Sequence, residues 1–283
     1  MKNEKQIERL GMLVHPEKPE AARLARRLAE ICREKGPALV PVDSRNASAL
    51  ADVDVVAVLG GDGTILRALR LMGEKMVPVL GVNLGTMGFL AECAPEALEE
   101  AVRRLAAGDY RLEERMLLRV EREGGERALA LNDVVVSRGA CQRVLQADVP
   151  VDGQAAARVS GAGLVISSPT GSTAYSLSAG GPIVDPQVRC MLITPVCAHS
   201  LNARPFVVPD EGVVRLSAPT TRQGVMVAVD DAFRLPVLPN QHVKIEKSQW
   251  KANFIRLAEM DFYKQLHKKL IQWNREGEME GEQ

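Results

Sequence analysis

The residues Val55-Val56-Ala57-Val58-Leu59 form an unbroken apolar run that stops at Gly60-Gly61-Asp62-Gly63-Thr64. A run of this length and valine content, with no polar residue to face water, predicts a strand buried on both faces, as in a parallel sheet flanked by helices. The glycines mark its carboxyl end. Gly60, Gly61 and Gly63 are expected to take backbone angles closed to other residues, and the periodicity from Ile65 to Met72 predicts a helix capped by Thr64. Free N–H groups at such a helix start suit an anion, and open α/β sheets bind ligands beyond the carboxyl ends of their strands.

The neighbouring segments repeat this alternation. Gly11 to His15 and Ala38 to Val42 read as strands. Between them, Pro19 to Lys35 carries Leu24, Leu28, Ile31 and Cys32 at helical spacing and is followed by Gly36. Val77 to Val82 is a further apolar run, and it opens directly into Asn83-Leu84-Gly85-Thr86-Met87-Gly88-Phe89-Leu90. Two glycine-spaced loops at neighbouring strand ends are expected to face one crevice. Pro95 to Ala107 predicts a helix closed by Gly108.

Beyond Asp109 the texture changes. Leu112 to Glu121, Arg127 to Ser137, Val144 to Val151, Leu164 to Ser168, Val213 to Ser217, Val225 to Val229 and His242 to Glu246 are short and β-rich, separated by Gly, Pro or Asp. They predict a largely antiparallel second domain, a sandwich or distorted barrel. Asp261 is placed to cap a helix through Gln272 that packs back on the first domain, and the acidic end is expected to be disordered. The fold class is therefore α/β plus all-β: a parallel, Rossmann-like domain over residues 1–110, joined by a helix near 259–275, a β-sandwich-like domain over 111–258, and a disordered tail over 276–283.

Lys plus Arg balance Asp plus Glu at 36 each, which gives no support for a nucleic-acid or membrane partner. The five cysteines are scattered and never paired as C-x-x-C, so they read as reduced thiols of a cytoplasmic protein. Met1 to Leu10 is polar and is expected to carry no export signal. His15, His242 and His267 have no metal-like spacing with acids or cysteines, and no metal ligand is assigned.

Neither the G-x-x-x-x-G-K-[ST] nor the G-x-G-x-x-G nucleotide signature occurs. The densest polar stretch runs from Ser160 to Pro182, where a strand leads into small hydroxyl residues opening a short helix at Ser172 or Thr173. Its backbone donors and hydroxyls suit a polar ligand lying close to the chain. Gly60-Gly61-Asp62-Gly63-Thr64, Asn83-Leu84-Gly85, Asn132-Asp133, Ser168-Pro169-Thr170-Gly171-Ser172-Thr173-Ala174-Tyr175, and Thr194-Pro195 through His199-Ser200-Leu201 with Arg204-Pro205 follow in order. Together they resemble the motifs of the NAD kinase family, whose members phosphorylate NAD on the 2′-hydroxyl of its adenosine ribose to give NADP. The resemblance covers nearly the whole chain.

That resemblance implies an NAD kinase in which Asp62 orients the ribose hydroxyl and takes its proton. It implies dinucleotide contacts from Asp62, Gly63, Asn132, Asp133, Arg143, Ser160, Ala162, Thr173, Ala174, Tyr175, Ser176, Leu177 and Ser178, with Gly61, Thr64, Asn83, Thr170, His199 and Asp230 as a wider set. His199 is expected to approach substrate from a neighbouring subunit of a homo-oligomer, a dimer or tetramer. ATP or polyphosphate is the implied phosphoryl donor, with Mg²⁺ or another divalent ion. Three departures stand out. Asp133 replaces the family's Glu, Asp230-Asp231-Ala232 replaces Asp-Gly-Gln, and Gly161-Ala162-Gly163 lacks a ligand-facing carboxylate. Asp230 or Asp152 compensates for Ala162, or substrate binding is weakened. The rival readings are a lipid or sugar kinase sharing the Gly-Gly-Asp-Gly loop, and a dinucleotide sensor with weakened catalysis.

Overall fold

The computed structural model describes residues 5–43, 47–84, 88–91, 93–138, 144–200, 202–217, 224–258 and 261–280, so Cys141 and Arg143 lie outside the described residues. The first half runs β1 (Arg9–Val14), α1 (Pro19–Lys35), β2 (Ala38–Pro41), β3 (Val55–Leu59), α2 (Asp62–Met72), β4 (Val79–Val82) and α3 (Leu98–Ala106). These four strands pair in parallel in the order β2-β1-β3-β4. Every residue of β3 and β4 is buried, the outcome expected for valine-rich strands covered on both faces. One apolar cluster contains Leu24, Leu28, Leu98 and Leu105 of α1 and α3, and another contains Ile65, Ala68 and Leu69 of α2.

The second half is β5 (Arg111–Arg122), β6 (Arg127–Ala130), β7 (Asp133–Ser137), β8 (Leu145–Val151), β9 (Gln154–Gly161), β10 (Gly163–Ser167), α4 (Tyr175–Ser178), β11 (Cys190–Val196), β12 (Phe206–Pro209), β13 (Val214–Ser217), β14 (Val225–Val229), β15 (Phe233–Val237) and β16 (His242–Arg256), with α5 (Phe262–Glu280) last. Six strands form an antiparallel sheet in the order β12-β11-β10-β7-β14-β15. The others extend the parallel sheet to ten strands, β16 joining β4 through Phe254 and Val79, with β13, β8 and β9 beyond it and β5 and β6 alongside. Leu118, Val120, Val243 and Ile245 of the long sheet share one core with Val134, Ile166, Ile193 and Val227 of the six-stranded sheet. That is sandwich packing.

Several elements differ from the sequence expectation, each for a local reason. Arg127 to Ser137 is two strands in two different sheets, because the Asp230 carboxylate takes the N–H groups of Leu131 (2.8 Å), Asn132 (2.8 Å) and Asp133 (3.1 Å) and breaks the ladder there. The strand expected to end at Glu246 continues to Arg256 past a register shift between Lys247 and Lys251, and its added half ties the two halves of the molecule together. Strands β9, β11, β12 and β15 were not predicted. Asp261 does cap α5, accepting from Lys264 N at 3.1 Å, and Gln265 Nε2 donates to Gly88 O at 2.7 Å, so the helix docks on the first half. It runs on to Glu280, into the segment expected to be disordered from 276, in keeping with the helix propensity of Glu and Met.

Candidate active site

Asp62 is the first residue of α2, with Gly61 in extended conformation at the N-cap (φ −85°, ψ −171°). Thr64 is therefore inside the first turn and does not cap it. Gly60, Gly61 and Gly63 are all absent from the positive-φ residues, so their role is space and not unusual backbone angles. A Cβ on Gly60 would meet Thr64 Oγ1 at 2.2 Å, whereas Gly61 and Gly63 have nothing within 4 Å of theirs. The face beside Asp62 is thus bare backbone. The N–H groups of Asp62 and Gly63 have no partner among the described residues, which leaves the helix start open to an anion.

The carboxylate of Asp62 is held by the second glycine-spaced loop. Its Oδ2 accepts from Phe89 N at 2.8 Å, and its Oδ1 from Leu90 N at 3.1 Å and Ala91 N at 3.3 Å. An ionised carboxylate offers about four acceptor positions, so roughly one remains for a ligand hydroxyl. Gly88 is required for this arrangement, since a Cβ there would lie 2.0 Å from Asp62 Oδ1. The two loops meet, as their positions at neighbouring strand ends predicted. Asn83, buried between them, links this loop to Cys93 through a backbone hydrogen bond of 3.0 Å.

A second cluster forms where β7 begins and β10 ends. Ser168 N donates to Asn132 O at 2.9 Å, Ser168 Oγ donates to Leu131 O, and a Cβ on Gly171 would strike Asn132 O. The Asn132-Asp133 turn and the Thr170–Thr173 turn are therefore one packed unit. Asp133 is buried; loss of water together with the charge of Asp230 pushes its carboxyl up to about 7, against the hydrogen bond it accepts from Tyr175 N–H. Asp230 is raised as well, chiefly by burial, though three backbone N–H groups favour its ionised form.

Within the hydroxyl-rich run the side chains divide. Ser172 exchanges hydrogen bonds with Val184 at 3.0 Å, and Ser176 Oγ lies 2.9 Å from Thr194 Oγ1; both serines are fully buried. These two hydroxyls hold the loop. Thr173, Ala174 and Leu177 are half-buried, while Tyr175 and Ser178 are exposed. Among the expected contacts, Ser176 thus has its hydroxyl turned inward.

Three charged side chains with no sequence signal connect the clusters. Arg256 of β16 and Arg115 of β5 are 5% and 3% exposed, and both pair with Glu113. Arg256 Nη1 lies 3.5 Å from Leu90 O in the loop around Asp62, and Arg115 Nη1 reaches Thr170 Oγ1 at 3.3 Å. Burial opposes ionisation of Glu113, yet the guanidiniums of Arg256 and Arg115 hold its carboxyl below the usual range.

The models of two protein families match this chain, the ATP-NAD kinase N-terminal domain over residues 40–110 and the ATP-NAD kinase C-terminal domain over residues 131–257. The chain belongs to the NAD kinase family. It is accordingly a phosphotransferase with NAD kinase function. It is 39% identical over 278 residues to the NAD kinase of Heliobacterium modesticaldum, covering 93% of this chain and 98% of that one. The NAD kinase of Methanothermobacter thermautotrophicus is 36% identical over 276 residues, covering 93% and 96%. Two solved structures share the fold. A yeast NADH kinase complexed with NADH superposes with a TM-score of 0.84 at 22% identity over 94% of this chain and 88% of that one. An NAD kinase from Archaeoglobus fulgidus in complex with ATP does so at 0.79 and 24% identity over 92% and 98%.

The remaining family-motif residues lie elsewhere. Ser160, Ala162 and His199 gather at the other end of β10, where His199 N donates to Ser160 O at 2.8 Å and Ala162 N to Val196 O at 2.9 Å. Register places Gly163 opposite Ser137 and Val196, and Ser167 opposite Asp133. The length of β10, five residues, therefore separates this group from Asn132 and Thr170 by about 16 Å. Asp230 sits with Asn132, and Asp152 is at the far end of β9, held by Val213 N at 2.8 Å. Within one chain both carboxylates therefore lie about a strand's length or more from Ala162. Ala162 is exposed at the single-residue crossing from β9 in one sheet to β10 in the other, and His199 is exposed as well.

Proposed function

We propose that this chain transfers the γ-phosphoryl group of ATP to the 2′-hydroxyl of the adenosine ribose of NAD, with Asp62 as the residue that meets the hydroxyl. The observation that carries this reading is the Asp62 carboxylate, fixed by three backbone N–H groups with one acceptor position spare beside bare glycine backbone. In the reaction the ribose oxygen bonds to the γ-phosphorus, the bond from that phosphorus to the bridging oxygen breaks, ADP leaves, and the hydroxyl proton passes to Asp62. Residues 1–110 with α5 carry the phosphoryl chemistry. Residues 111–258 hold the dinucleotide, Asn132 and Asp133 meeting the adenosine and Thr173, Ala174, Tyr175, Leu177 and Ser178 the rest. The unpaired N–H groups of Asp62 and Gly63 are suited to phosphate. The Archaeoglobus relative's ATP complex supports ATP as donor; polyphosphate has the same terminal chemistry.

No cluster of three metal-ligating side chains occurs among the described residues. Mg²⁺ or another divalent ion would take most of its ligands from water and the donor's phosphates and would need few side chains from the protein. When bound it neutralises phosphate charge.

The distance between the two groups of family-motif residues supports a homo-oligomer. Ser160, Ala162 and His199 of one subunit then complete the dinucleotide site of its neighbour, with Arg143 in the same role. A cytoplasmic location agrees with the free thiols of Cys32, Cys93, Cys190 and Cys197. No helix among the described residues is long and apolar enough to cross a membrane. The test is Asp62→Asn, assayed for NADP formation from NAD, ATP and Mg²⁺ by a coupled dehydrogenase. Loss of product with retained fold is expected, and near-normal turnover rejects the assignment.

A further inference from the structure

Behind the Asn132-Asp133 turn lies a cavity of about 280 Å³, between α2 and the second half of the molecule. Leu66, Leu69, Arg70 and Gly73, which share one face of α2, form one wall. Ala128 and Leu129 of β6, Val229, Asp230 and Phe233 form the other, with Glu74, Arg119 and Arg127 at the rim. The size is at the small end of ligand pockets, which run from about 300 to 1,000 Å³. Apolar side chains floor it: Leu66, Ala128, Leu129 and Phe233 pack on the two cores yet are only half-buried, with part of their surface left uncovered.

Charge decides what kind of partner. Three guanidiniums, Arg70, Arg119 and Arg127, line the cavity against two carboxylates, Glu74 and Asp230. Arg127 is engaged by Glu121 at 2.9 Å, and Asp230 by three backbone N–H groups. Arg119 pairs with Glu246 through Nη2, but its Nε is buried with no hydrogen-bond partner. Arg70 makes no hydrogen bond or ion pair among the described residues, although its charge reaches Asp230. The cavity therefore offers the unengaged guanidinium of Arg70 and the one unpartnered N–H of Arg119, its Nε, over an apolar floor. A buried donor without a partner is costly, and a ligand acceptor would recover that cost.

We propose that this cavity is a second ligand site, taking a small amphipathic anion with an apolar body about the size of a phenyl ring and one carboxylate. Asp230 is shared between the cavity wall and the turn, since the carboxylate that closes the cavity also holds Leu131, Asn132 and Asp133 through their N–H groups. Occupancy is thus transmitted to that turn. This goes beyond the kinase reading and stands without it.

The experiment titrates the intact protein with 3-phenylpropanoate by calorimetry while following backbone amide resonances, with the neutral 3-phenylpropanamide as the charge control. Saturable binding of the carboxylate is expected, at least tenfold tighter than the amide, with shifts at the Leu131, Asn132 and Asp133 amides. Arg70→Gln should weaken it at least tenfold, and Ala128→Trp should abolish it by filling the floor; Arg70 is exposed, so its variant decides if the Trp variant does not fold. No binding, equal binding of acid and amide, or binding unmoved by Arg70→Gln overturns the proposal. So does loss of assembly in Ala128→Trp without anion binding to the parent protein, which would make the face a contact between copies.

Discussion

Gly88 fixes how Asp62 is presented. Because its Cβ would lie 2.0 Å from Asp62 Oδ1, Gly88→Ala must push the carboxylate or the loop aside. Displacing a reacting group by about 1 Å costs roughly a hundredfold in rate. We predict a fall of about that size in kcat for Gly88→Ala, and steady-state kinetics at saturating NAD and ATP checks it. Asp133 gives a prediction of opposite character. Its carboxyl is pushed up to about 7 in the fold from the ordinary aspartate value of 3.8 that holds when unfolded, so between those values the folded protein holds more protons. The stability this site contributes is therefore full below about pH 4 and is lost as pH rises to about 7, an effect of at most about 4 kcal/mol. Asp133→Asn, which keeps an acceptor for Tyr175 N–H, should gain stability over the parent as pH rises from 5 to 8. Urea titrations at several pH values measure this; a gap between the two proteins that does not widen with pH refutes the assignment.

At the scale of elements, the parallel half was readable because each apolar run and each helix carries its own local period. The β3 run, its glycine end and α1 stand where the sequence places them. What could not be read was anything that depends on a distant partner. The break between β6 and β7 is made by Asp230, about a hundred residues away in the chain, and the sequence reading ends β16 early because its second half is polar in sequence yet pairs with Arg111 to Met116 of β5. The Arg256–Glu113–Arg115 triad was hidden for the same reason. Charged residues in strands ordinarily read as solvent-facing, and only the joining of β5 with β16 buries these. Removing the central carboxylate takes away the counter-charge that both buried guanidiniums share, so Glu113→Gln should lower stability by about 3–5 kcal/mol. Chemical denaturation checks that value, and a loss below about 1 kcal/mol contradicts the triad's role as the tie between the Asp62 loop and the Thr170 turn.

For the whole molecule, the motifs identified the family, but sequence order alone did not reveal that they fall into separate groups. Asp62, Asn132-Asp133 and the Thr170 turn are linked by hydrogen bonds and ion pairs, whereas Ser160, Ala162 and His199 lie a strand's length away. If a neighbouring subunit completes the site, His199→Ala should raise the Michaelis constant for NAD severalfold, and dilution below the assembly threshold should do the same to the parent protein. Light scattering alongside kinetics tests this, and a monomer with unaltered NAD affinity rules it out. Restoring the carboxylate with Ala162→Asp should lower the Michaelis constant by about ten- to a hundredfold, the equivalent of one charge-assisted hydrogen bond of about 1.5–3 kcal/mol. An unchanged constant means that the position faces no ligand.

In the proposed reaction Asp62, cradled by the amides of Phe89, Leu90 and Ala91, meets the hydroxyl that is phosphorylated. Single-turnover NADP formation by Asp62→Asn, with calorimetric NAD binding on the same preparation, tests that role. NAD is expected to bind within about threefold of the parent affinity while the chemical step slows about a thousandfold or more, in keeping with the roughly 10²–10⁴ contributed by one acid–base group. Phosphoryl transfer within tenfold of the parent rate would contradict it.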